Sequence, residues 1–309
     1  MTRYNSRLVR ENTHYKTTTD IFRNLLNSSS LNISENDKKL INYLPYFISL
    51  AHPYIFFEGN HTDKEDFGGR KISEIPYARH PLRMCILLLK SGITDVKTLF
   101  TAAFHDNPEE LIALNRELKK QNIEGFLKHF DTAEQYMEDI LFPNMGRVFK
   151  NEGLFLPTDF YADVSENVKI LTPSSNPFLD LNSLVAGSVP YKVKLPDSLD
   201  GISDTGFLNC LYNVNSRKYI SNIDERNSVS KNILWKKHNK IDILYAKGDS
   251  FYTKNSNEGK LVDKLLEGMD FIEDIISMVD SQNPTIVMDL AVYSKQVELN
   301  HSKFMNFLN

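Results

Sequence analysis

The side chains able to do chemistry gather in two short stretches, "PYARHPLRM" at 76–84 and "AAFHDNPEE" at 102–110. The first sets His80 before a proline. The second puts His105 directly before Asp106 and follows the pair with Glu109 and Glu110. If His80 and His105 sit on neighbouring antiparallel helices joined at Ser91–Thr94, both can face one pocket. Asp106 then lies at a helix end, where adjacent residues can converge on a single ion. Neutral imidazole with carboxylate oxygen is the donor mix that suits a borderline or hard divalent ion such as Mn²⁺, Fe²⁺ or Zn²⁺. A fourth ligand must come from elsewhere in the fold, and Asp197 in "YKVKLPDSLDG" is the candidate. Taken singly each feature is ordinary: a lone histidine is more often packed than ligating, and "KLPD" can be a plain turn. Their weight lies in the joint pattern.

The elements that must position these residues read as mainly α. "HPLRMCILLLKSG" (80–92) is a helix that Gly92 can terminate, and "TDVKTLFTAAFHD" (94–106) follows with Thr94 as its expected N-cap. "NPEELIALNRELKKQN" (107–122) reads as the next helix, with Pro108 in its first turn and Glu109 and Glu110 near the positive end of the dipole. Before them, "DKKLINYLPYFISLAHPYI" has helical spacing that Pro45 must kink or restart. Further helices are expected at 130–141, 159–171 and 180–200, separated by turns such as "TPSSNP". Residues 1–36 form a polar N-terminal extension, its first 15 or so residues read as mobile or wrapped on a neighbour. Beyond about residue 205 the character changes. A hairpin is expected around Lys247-Gly248-Asp249, then a strongly amphipathic helix at 259–280 with Leu261, Leu265, Ile272, Ile275, Ile276 and Val279 on one side. The last segment, from Pro284, also reads as helical. The expected architecture is a helical bundle over 37–205 with an α or α+β extension over 206–309.

Composition narrows the partners. A formal net charge of −4 over 309 residues offers no broad electrostatic attraction to nucleic acid or to an anionic membrane surface. Cys85 and Cys210 are too few for a disulfide framework and lack CxxC spacing, which fits a reducing, cytoplasmic setting. The N-terminal stretch has no apolar core of a secretory signal, and no run approaches the roughly 18 apolar residues of a membrane span.

In order along the chain stand Arg70-Lys71, "PYARHP", "HDNPEE" and "VKLPD", and this series resembles the hydrolase domain of the RelA/SpoT family. That domain is an HD-type metal-dependent phosphohydrolase, and the likeness is greatest to its small stand-alone alarmone hydrolases. Those proteins carry an Arg-Lys pair, Pro-Tyr-x-x-His-Pro, His-Asp-x-x-Glu-Asp and Lys-Leu-Ala-Asp. "AH" at 51–52, "SGITDVKTLFTAAFHD" and "FYADVSENVKILTP" add weaker landmarks, so the likeness covers roughly 37–205. The resemblance implies that His80, His105, Asp106 and Asp197 hold one metal, usually Mn²⁺ in this family. It implies that Glu109 and Glu110 orient a water and move its proton, which is general acid–base work. It places Arg70 and Lys71 over the base and phosphates of a nucleotide, Tyr77 near the ribose, and Lys194 within reach of a phosphate.

Departures bear on the substrate. About 13 extra residues precede Arg70-Lys71, and their Glu58, His61, Asp63, Glu65 and Asp66 read as a charged loop, with a second metal as the less favoured reading. Glu110 stands where the family has Asp. Asp197 is followed by Ser198 and Gly201 where the family has Arg or Lys and then Asn, which removes a nucleotide contact. The last hundred residues have no counterpart in the small hydrolases and carry no synthetase motif. The resemblance therefore implies removal of the 3′-diphosphate from guanosine tetra- or pentaphosphate. A phosphatase acting on another nucleotide such as NADPH, and a nucleotide-sensing module without catalysis, are the alternatives.

Overall fold

A computed structural model of the chain describes residues 2–5, 10–51, 54–57, 78–108, 132–172, 181–205, 212–213, 218–219 and 223–280. The described chain is mainly α and divides into two compact units, 1–194 and 195–309. No helix among the described residues is long and apolar enough to cross a membrane.

The first unit is a helical bundle. Its described elements are β1 (Thr2–Asn5), α1 (Thr13–Leu26), α2 (Glu35–Asn42), α3 (Leu44–Ala51), β2 (Tyr54–Phe57), α4 (Arg79–Lys90), α5 (Val96–Phe104), α6 (Ala133–Tyr136), α7 (Phe142–Asn151) and α8 (Phe160–Leu171). β1 pairs antiparallel with β2. The organising element is α4: every residue from His80 to Leu89 is buried. A helix buried on all sides must be covered on all sides. Helices α3 and α5 pack on it, and so does α1. The polar N-terminal stretch is thus not a loose arm from its thirteenth residue on. Tyr15, Phe22 and Leu26 are buried beneath α1, and the Tyr15 hydroxyl donates to the Pro45 carbonyl at 2.6 Å. Burial pushes the Tyr15 hydroxyl pKa far up, so it stays a donor throughout the physiological range.

Helix ends follow local chemistry. Pro45 restarts the chain at α3 after α2 has closed at Asn42, the role its missing N–H allows. Gly92, at φ +85°, ends α4: the Gly92 N–H donates to the Leu89 carbonyl and the Ile93 N–H to that of Leu88, both at 2.9 Å. Helix α5 starts one residue later than expected. Asp95, not Thr94, is its cap, and its carboxylate accepts from the Thr98 amide at 2.8 Å and the Thr98 hydroxyl at 2.7 Å. Between α6 and α7 the helix widens into a π turn at Met137–Leu141. Pro143 removes a helical N–H just beyond it, and the Asn144 side chain donates to the Ile140 carbonyl at 2.7 Å. Around α5 a set of aromatic rings closes the core: Phe100 meets Phe160 at 5.2 Å between centroids, and Phe149 meets Phe47 at 5.4 Å, both edge-to-face.

Helix α9 (Val189–Thr205) crosses the division between units, with Pro196 inside it. The second unit continues with a ribbon of β3 (Tyr212–Asn213) and β4 (Lys218–Tyr219), then α10 (Ile223–Asp249) and α11 (Asn257–Asp280), which pack on one another. The hairpin expected at Lys247-Gly248-Asp249 is instead the last turn of α10. Leu234, Ile241, Leu244 and Gly248 are all buried, a helical spacing that outweighs the local turn character of Lys-Gly-Asp. Leu261, Leu265, Ile272 and Ile276 of α11 are buried as their spacing requires. Gly268 lets α11 approach α9, since a Cβ there would lie 2.8 Å from Ile202 Cδ1.

Candidate metal centre

Three candidate ligands arrive from two consecutive helices and the turn that follows them. His80 is the second residue of α4, and its side chain is held in the core, 3% exposed. His105 directly follows the last residue of α5 and is 1% exposed. The rings approach to 5.4 Å between centroids at an interplanar angle of 57°. Asp106 reaches between them: one carboxylate oxygen is 3.0 Å from His105 Nε2, the other 3.5 Å from His80 Nε2. Asp197, two turns into α9, completes the group, and the four ligand atoms lie within 4.8 Å of one another.

The protonation of His105 is set by its neighbour. Its Nδ1 is 3.0 Å from the Ala102 carbonyl, which can only accept, so Nδ1 carries the hydrogen. In the neutral ring Nε2 then keeps its lone pair and points it at a carboxylate oxygen. Two lone-pair atoms at that separation repel unless a proton or a cation lies between them. A backbone carbonyl holding the far nitrogen is also the usual support of a ligating imidazole. Two buried imidazoles and two half-buried carboxylates are a donor set that fits Mn²⁺, Fe²⁺ or Zn²⁺.

Of the residues singled out in the sequence, His80, His105, Asp106 and Asp197 come together. Lys194 lies on α9 one turn before Asp197 and is half-buried. Arg70, Lys71, Tyr77, Glu109 and Glu110 lie outside the described residues, as do Glu58, His61, Asp63, Glu65 and Asp66. Two features escaped the sequence reading. Asn107 is fully buried, and its side-chain amide donates to the Ala51 carbonyl at the end of α3. An Asn before Pro signals a turn, and nothing in its spacing marks it as an anchor. Pro196 stands directly before Asp197 inside α9 and contributes no N–H of its own to the helical ladder.

Comparison of the chain with protein-family models, with curated proteins and with solved structures returned no match in any of the three.

Proposed function

We propose that this chain is a metal-dependent nucleotide pyrophosphohydrolase of the HD type, acting in the cytoplasm on guanosine tetra- or pentaphosphate. One water is consumed: its oxygen bonds to phosphorus, the bond to the 3′ oxygen breaks, and GDP or GTP leaves with pyrophosphate. The observation that carries the reading is the convergence of His80, His105, Asp106 and Asp197 within 4.8 Å, in a chain whose motif order resembles that family. These four would hold a divalent ion, Mn²⁺ first, which supplies Lewis acidity toward water and phosphoryl oxygen. Glu109 takes the proton of the attacking water and Glu110 supports it. Arg70 and Lys71 meet the base and the charge that develops on the phosphates, Tyr77 packs near the ribose, and Lys194 reaches a phosphate. The partner is then a small nucleotide; neither nucleic acid nor a membrane surface is required.

The test is hydrolysis of ppGpp by the purified protein with Mn²⁺, beside NADPH and dGTP, with His105→Ala and Asp197→Ala as controls. Pyrophosphate release from ppGpp that both substitutions abolish supports the reading. Turnover of NADPH alone keeps the metal site and moves the substrate, with Ser198 and Gly201 the first positions to examine. No turnover by folded, metal-loaded protein sinks the enzyme and leaves a nucleotide-sensing module.

A further inference from the structure

The ligand Asp106 lies on a turn beyond the end of α5, where the helical ladder no longer fixes it. Its carboxylate stands between two imidazoles, so the position of this turn decides where that carboxylate can go. The next residue, Asn107, is 0% exposed, and its Nδ2 donates to the carbonyl of Ala51, 56 positions away in sequence. Ala51 closes α3, so its carbonyl is one that the helix itself leaves unsatisfied. The bond therefore ties the His105–Asp106 turn to the end of a separate, buried helix. The other side-chain atom, Asn107 Oδ1, is buried without a hydrogen-bond partner among the described residues. Burying an amide that is only half satisfied is unfavourable, and an apolar side chain of the same volume would fill the space without that penalty. What the amide adds is the tether.

We infer that Asn107 is a positioning residue of the metal centre, clamping the turn that carries His105 and Asp106 to the C-terminus of α3. It touches neither ion nor substrate. It acts by restricting where the Asp106 carboxylate can go, as outer-shell partners restrict ligands in other metal sites. The inference rests on the metal-site reading above, and its test keeps the two apart.

The probe is Co²⁺, which reports ligand geometry through its visible absorption, titrated into the metal-free full chain. Asn107→Leu keeps the volume and removes the donor; Asn107→Ala removes both, and covers the case in which the leucine variant does not fold. Circular dichroism and the apo melting temperature establish folding at the temperature of titration. The expected result is a loss of Co²⁺ affinity of roughly tenfold to a hundredfold in the folded variants, with an altered absorption band. A lower melting temperature with parental affinity and an unchanged band means that Asn107 is structural only, and overturns the positioning role. Failure of the parent protein to bind Co²⁺ overturns the metal reading and this inference with it.

Discussion

The imidazoles of His80 and His105 stand 5.4 Å apart across the junction of α4 and α5, with the Asp106 carboxylate bridging their Nε2 atoms. Both rings are buried, and both donors aim at one point. Two buried imidazoles beside a carboxylate are a donor set that suits a divalent cation. The arrangement is a candidate ion site, and an ion held there would make the stability of the fold depend on it.

That dependence can be measured. A ligand that binds only the folded chain stabilises it by mass action, about 2.7 kcal/mol at a hundredfold excess over its dissociation constant. With an unfolding entropy of about 2.1 cal/mol/K per residue, a chain of this size should melt roughly 4 °C higher at that excess of Mn²⁺ and fall back on addition of a chelator. His105→Ala and Asp106→Ala should lose the shift, because each removes a ligand. A calorimetric scan in which both variants respond to Mn²⁺ as the parent does would exclude these residues as ligands.

The packing of α1 on α4 makes a second prediction. Tyr15 is 2% exposed, and Arg79, directly before His80, donates from Nε to the Thr18 hydroxyl at 3.0 Å. The N-terminal helix therefore supports the start of the helix that carries the first ligand. Replacing Tyr15 by alanine removes a buried aromatic ring, a change that destabilises by about 3–5 kcal/mol. Tyr15→Phe keeps the ring and loses only the hydrogen bond to Pro45, about 0.5–1.5 kcal/mol. Urea denaturation of the three proteins should give that order. Equal midpoints for Tyr15→Ala and the parent would mean that α1 adds nothing to the core.

Much of this was legible in the sequence because it is written in local terms. The period of "HPLRMCILLLKSG" gives α4, and Gly92 supplies the positive φ that ends it. His80, His105, Asp106 and Asp197 stand out as a candidate ligand set through their types and order, and the structure brings the four together. Other features depend on packing between distant segments. Residues 13–26 look polar and loop-bound, yet the unbroken apolar run Met84–Leu89 of α4 requires one more cover than the neighbouring segments provide. That demand could have pointed to α1. Lys247-Gly248-Asp249 looks like a turn in isolation, but burial of Leu234, Ile241 and Leu244 carries the helix through it. Asn107 is invisible for a different reason: its partner is a backbone carbonyl, which no residue type announces.

The third prediction concerns pH and the contact between α5 and α8. Lys97 of α5 donates to the Asp163 carboxylate of α8, and this hydrogen bond, with the nearby carboxylate charges, holds the Lys97 ammonium pKa above the ordinary lysine value. A group whose pKa is raised by folding contributes stability that is complete below its unfolded pKa. That contribution disappears as the pH climbs through the folded value. The pair should therefore help at neutral and mildly alkaline pH and stop helping once the pH has climbed beyond the usual lysine range and through the raised folded value. Both side chains are substantially exposed, so solvent and salt screen the interaction and the effect should be small. Other alkaline titrations, tyrosines included, are shared by parent and variant and cancel in their difference. The melting-temperature gap between the parent and Lys97→Met should be present near pH 8, shrink in high salt, and narrow as the pH is raised past the usual lysine range. A gap that persists unchanged across that range would assign the effect to the packing of the lysine stem along α5 and not to its charge.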